Sequence, residues 1–155
     1  MILRKLFVCV ITLLVSTSAL ADKNSLFVQN YLNSFASRDA ESIFQLINWE
    51  GVDKESRNSL QKYIKSGFKG RQIRRIYIDP IAEGNTPSYV QNGKTYELNL
   101  VPTGQLNIIY ISNKGKRTTT QLFVGDHNGQ MKIGSAVVAA ESLACNGQKD
   151  SKTSC

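Results

Sequence analysis

From Gln72 to Val138 the chain is a series of short runs with alternating apolar residues, each closed by a turn signal. This pattern limits the fold more than any other feature. Gln72 to Asp79 is rich in Ile and Tyr and is stopped by Pro80. Ser88 to Gln91 is hinged on Asn92-Gly93, a strong two-residue hairpin pair. Lys94 to Val101 carries Tyr96, Leu98 and Leu100 on one face. Pro102-Thr103-Gly104 then leads into Gln105 to Ile111, with Leu106, Ile108 and Tyr110 on one face. Asn113-Lys114-Gly115 leads into Lys116 to Val124, and Asp126-His127-Asn128-Gly129 into Gln130 to Val138. Consecutive strands joined by such short turns pair antiparallel, so the spacing predicts a curved β-meander.

The preceding segment has the helical period. Phe27, Val28, Tyr31, Leu32 and Phe35 fall on one helix face, with Asn24 or Ser25 as the expected cap. A second, short helix is expected from Ala40 to Ile47 behind Asp39, burying Ile43, Phe44, Leu46 and Ile47. Asn48-Trp49-Glu50-Gly51 reads as a turn. Asp53 caps a third helix from Lys54 to Ser66, with Leu60, Tyr63 and Ile64 inward and Gly67 as its left-handed end. Helices first and strands afterwards define an α+β class, with the helices laid on one face of the sheet.

The first 21 residues carry an address rather than a fold. Arg4 and Lys5 precede an apolar run from Leu6 to Val15, and Ala19-Leu20-Ala21 offers small residues at the two positions read by signal peptidase. Cleavage after Ala21 is expected, giving a periplasmic or secreted protein that begins at Asp22. The stretch from Leu6 to Leu20 is shorter than the roughly 20 apolar residues of a spanning helix. No later run is long enough either, so the processed chain is not expected to span a membrane. Residues 22–140 read as one α+β domain and 141–155 as a polar tail. Of the three cysteines, Cys9 lies in the leader, and Cys145 and Cys155 read as a disulfide closing that tail. Two thiolates without further ligands make a poor metal site, and neither metal nor cofactor is expected. The chain carries a net charge of +7, and moderate basicity suits an anionic envelope surface such as lipid head groups. An exported chain without interleaved aromatic stacking platforms is not expected to bind nucleic acid.

The run from Tyr31 through Arg38-Asp39 to Ile47, an aromatic-bearing helix, a small-basic-Asp break and a short apolar helix, resembles the opening of the nuclear transport factor 2-like superfamily. The order of elements over residues 26–140 is similar too, although all three helices precede the first strand here. The resemblance implies a cystatin-like cone with a pocket between sheet and helices. Superfamily members use that pocket as isomerases, dehydratases, polyketide cyclases or plain binding proteins, so fold alone does not select one.

An enzyme of this type needs a carboxylate or His inside the cone. The faces expected to point inward (Ile76, Ile78, Tyr96, Leu98, Leu100, Leu106, Ile108, Tyr110, Leu122, Val124, Met131, Ile133 and Val137) hold neither. His127, the one histidine, is expected in a solvated turn. The reading is therefore a non-catalytic small-molecule-binding or accessory protein, with a pocket isomerase, dehydratase or cyclase as the alternative. Tyr31, Trp49, Tyr63, Tyr96 and Tyr110 are the candidate pocket residues for a small apolar ligand. Arg71, Arg74 and Arg75 are candidates for an anion-binding patch, extended by Lys114, Lys116 and Arg117 if the two regions meet. The paired arginines also hint at a bulge. Val101, Ile109, Ile111 and Phe123 fall on the outer parity of the sheet and suggest a homodimer face.

Overall fold

The computed structural model describes residues 22–82 and 86–139. The leader, the tail and the Cys145–Cys155 pair lie outside the described residues. Three helices come first. Helix α1 covers residues 22–36. The chain is already helical at residue 22, so Asn24 and Ser25 lie within α1 and do not cap it. Phe27, Tyr31 and Ser34 form its buried stripe. Helix α2 is Ala40–Gln45, and its Asp39 cap accepts from the Ser42 amide at 3.1 Å and the Ser42 hydroxyl at 2.6 Å. Helix α3 is Lys54–Gly67, and Asp53 accepts from the Glu55 and Ser56 amides at 2.9 Å each. Hydrogen bonds to Ser42 and Ser56 hold both capping carboxyls below the ordinary Asp range.

Two helix ends differ from the sequence reading. Gly67 is helical, and the left-handed residue that turns the chain is Gly70, with φ 65°. Helix α2 stops before Ile47, because the sheet offers a better partner for that backbone. Ile133 N donates to Leu46 O at 2.7 Å and Asn48 N donates to Ile133 O at 2.8 Å, so Ile47 pairs with Ile133 as a short parallel bridge.

Seven strands follow: β1 Arg71–Pro80, β2 Ser88–Gln91, β3 Lys94–Leu98, β4 Gly104–Ser112, β5 Arg117–His127, β6 Gln130–Ile133 and β7 Ala136–Val138. They form a four-stranded sheet in the order β1-β4-β5-β6 and a three-stranded sheet in the order β2-β3-β7, with every ladder antiparallel. The single meander is thereby corrected. Asn92-Gly93 closes β2 on β3, so β1 skips that hairpin and pairs with β4. The run expected from Gln130 to Val138 is cut at Gly134-Ser135, and β7 joins the other sheet. Asn128 and Gly129 have φ of 53° and 80°, the left-handed pair of a two-residue hairpin turn. His127 therefore ends β5 and does not sit in the turn.

Both sheet changes happen at one corner. Asn99 N donates to Ser135 O at 3.0 Å, and Ser135 N returns a bond to Asn99 Oδ1 at 2.9 Å. The corner curls the two sheets into a half-barrel under the helices. Its inner face holds Leu106, Ile108 and Val124, each 0% exposed. Burying a side chain of this size stabilises by about 1.5–3 kcal/mol.

Glycine is required where the loop crosses β5. A Cβ on Gly125 would fall on the Val101 carbonyl oxygen and 3.0 Å from Leu100 Cδ1. Gly125→Ala is expected to cost about 1–3 kcal/mol, as overpacking does, with no change of fold. Urea denaturation measures it, and an unchanged midpoint would contradict the close crossing.

Candidate functional site

The inner face of the half-barrel and the three helices enclose a cavity of about 110 Å³. Tyr31 and Phe35 of α1, Ile43 of α2, and Leu60, Tyr63 and Ile64 of α3 form the roof. Phe68, Tyr110, Thr120, Leu122 and Ile133 complete the wall, and Arg71 stands at the start of β1. Phe35 joins the two halves through ring contacts with Phe68 at 5.3 Å and Tyr110 at 5.5 Å. Among the described residues of this wall, none is Asp, Glu or His.

Helix α3 roofs the cavity without burying any residue fully. Leu60 and Ile64 are half-buried, and Tyr63, expected inward, is 56% exposed and lines the cavity from its rim. Its Leu60 and Ile64 pack against the core, and two contacts hold the helix from the side. The Arg57 guanidinium lies 4.9 Å from the Trp49 ring centre and the Lys65 ammonium 5.4 Å from that of Phe44.

Tyr31 and Tyr110 are 6% and 7% exposed, and their hydroxyls are 3.2 Å apart. Burial is the main force raising both phenols. For Tyr110, the Tyr31 hydrogen bond and the Arg71 charge pull part of the way back. Both groups therefore stay neutral at physiological pH. Tyr63 and Arg71 line the same cavity, and the Arg71 charge lowers the Tyr110 phenol while Tyr63 raises it.

The direction of Arg71 follows from one irregularity. Ile73 and Ile76 are three residues apart, so strict alternation would put them on opposite faces. The register slips between Ile73 and Arg75, with Ile73 opposite Tyr110 and Ile76 opposite Ile108, both inner residues. Arg74 is the extra residue of a β-bulge, as the paired arginines hinted. The bulge returns Ile73, and with it Arg71, to the inner face.

The proposed arginine patch is thereby divided. Arg71 borders the cavity, Arg74 occupies the bulge, and Arg75 lies on the outer face with its guanidinium 4.7 Å from the Tyr77 ring centre. Arg71 does sit at the end of the sheet near the β4–β5 turn. It pairs with Ser112, which hydrogen-bonds Lys116, and Ile111 pairs with Arg117. Two of the five aromatic pocket candidates lie elsewhere. Tyr96 stacks on Tyr89 in the three-stranded sheet, with centres 5.2 Å apart and planes at 10°. Trp49 donates its indole N–H to Phe44 O at 2.8 Å and packs edge-on against the Phe44 ring, outside the cavity wall.

His127 has company that its sequence position did not suggest. Nδ1 lies 3.4 Å from Asn48 Nδ2, and Nε2 lies 3.6 Å from a Glu50 carboxylate oxygen. It does not line the cavity. On the outer parity of the sheet, Ile109 is buried between Arg75 and Thr119, which stand directly opposite it, and Ile111 and Phe123 are half-buried. Val101 is 71% exposed. Phe35, Phe68 and Thr120 were not singled out from the sequence. Phe35 carried a helical signal, but nothing in the order of residues marks Phe68 as part of a wall.

No protein-family model and no curated protein matches this chain. The helices followed by a curled antiparallel half-barrel make the architecture α+β. Among solved structures, a designed protein that is a variant of Rd1NTF2_05 is similar in overall path. It shares 13% identity at a TM-score of 0.41, over 77% of this chain and 98% of that one. That likeness says nothing of a ligand or an activity.

The buried phenol yields a direct test. A phenol whose folded pKa is raised stabilises the fold below the unfolded value of about 10 and loses that contribution as pH rises past it. In an ultraviolet titration, Tyr31 is expected to stay silent until alkaline unfolding. Tyr31→Phe should leave the folded-state amplitude unchanged. Loss of one tyrosine's amplitude near pH 10 would contradict the burial.

Proposed function

We propose that this protein is an exported, non-catalytic binding module of the bacterial envelope that holds one small, largely apolar molecule in the cavity beneath α3. The observation that carries the reading is the cavity wall itself. It is apolar over most of its area, with a few hydroxyls among its side chains, the composition of ligand pockets generally. A volume of about 110 Å³ suits a single ring or a short hydrocarbon chain, since an engineered protein cavity of about 150 Å³ takes benzene. The wall's side chains favour binding over proton-transfer chemistry. General acid–base catalysis needs a group poised near the working pH, and the buried phenols are pushed away from it.

Benzyl alcohol is the probe of choice. Titrated into the protein, it is expected to shift the amide resonances of Tyr110, Leu122 and Ile133. Leu60→Phe, which fills the cavity from α3, should remove those shifts while the protein stays folded. Shifts that are absent, or that survive Leu60→Phe, would sink the reading.

Export is supported by Arg4, Lys5, the apolar run from Leu6 to Val15 and the small residues Ala19 and Ala21. Expressed in bacteria from Met1, the protein is expected in the periplasmic fraction with Asp22 as its first residue. An intact Met1 in the cytosol would refute it.

A further inference from the structure

The chemical class of the guest follows from counting hydrogens at the paired hydroxyls of the cavity wall. Tyr31 and Tyr110 carry one O–H each, and their hydroxyl oxygens are 3.2 Å apart. Whichever donates to the other, one hydrogen of the pair is left over. Among the described residues neither hydroxyl has a further partner. The pair sits on buried residues, where a donor without an acceptor costs about 1–3 kcal/mol, so an acceptor in the cavity would be favoured. Arg71 borders the same cavity and makes no ion pair among the described residues. Its charge reaches the Tyr110 hydroxyl. Two unspent donors, one of them permanently cationic, therefore border one small volume, whose wall is otherwise mostly aliphatic and aromatic, with the hydroxyls of Tyr63 and Thr120 beside them.

We infer that the guest is a small amphipathic carboxylate, with an aromatic or short aliphatic body under α3 and its anionic head between Arg71 and the Tyr31–Tyr110 pair. The inference rests on the binding reading above and narrows it to a ligand class. A carboxylate has two oxygens and only accepts. One oxygen takes the leftover phenolic hydrogen and the other takes guanidinium N–H donors, and charge-assisted bonds of this kind are about twice as strong as neutral ones. A neutral alcohol of the same shape satisfies the phenol but leaves the guanidinium to water. A plain hydrocarbon satisfies neither.

Calorimetric or NMR titration with benzoate, benzyl alcohol and toluene tests this on the full processed chain. Benzoate is expected to bind about tenfold or more tighter than benzyl alcohol, with toluene weakest. The benzoate preference should shrink as salt rises, because Arg71 is exposed and its attraction is screened. Arg71→Gln should bring the benzoate and benzyl alcohol affinities together. Tyr31→Phe and Tyr110→Phe each still leave one O–H, so the hydroxyl contribution should vanish only in the double variant. If benzyl alcohol binds as well as benzoate, or if Arg71→Gln leaves the preference intact, the carboxylate assignment falls and the apolar cavity reading stands. If none of the three probes binds, both fall together.

Discussion

The structure depends on a clasp between two asparagines. Asn48, just after α2, and Asn99, at the corner between the sheets, each donate a side-chain amide to the other's backbone carbonyl, at 3.0 and 2.9 Å. Asn99 also donates to Glu50 O at 2.8 Å. Asn48 is 4% exposed, and leaving a polar group unpaired at so buried a side chain would cost about 1–3 kcal/mol. Together with the Ile47–Ile133 bridge, the clasp fixes the segment between α2 and α3 to the point where both sheets bend. That junction spans the distance between the helices and the sheet.

The cavity is what that distance leaves. Helices α1 and α2 reach the sheet through Phe27, Tyr31 and Ile43, all buried. Helix α3 follows the clasped segment, and its Leu60 and Ile64 pack against the core while staying half-buried. Arg57 on Trp49 and Lys65 on Phe44 add lateral contacts.

Much of this was legible in the order of residues. The helix caps at Asp39 and Asp53, the inward parity of Leu106, Ile108 and Tyr110, and the Asn92-Gly93 hairpin all rest on local rules with short reach. The partition into two sheets was not legible, because it is decided by Asn99 and Ser135, residues far apart in the chain whose bonds no alternation announces. The candidate site was half legible for the same reason. Tyr31 and Tyr110 follow from helix face and strand parity. Trp49 and Tyr96 are equally aromatic, yet a contact with Phe44 and a stacking on Tyr89 draw them away. The asparagine clasp had no precursor in the sequence at all.

The bulge at Arg74 works as a frame shift in three dimensions. Iron it out with every residue kept, and each position before Arg75 rotates through half a turn of the pleat. Ile73 and Arg71 would then look out to solvent, and Gln72 and Arg74 would look inward. The rim of the hollow would change while every residue after the bulge stayed in place. The lining of such a hollow is thus stored in the spacing of a strand as much as in the identity of its side chains.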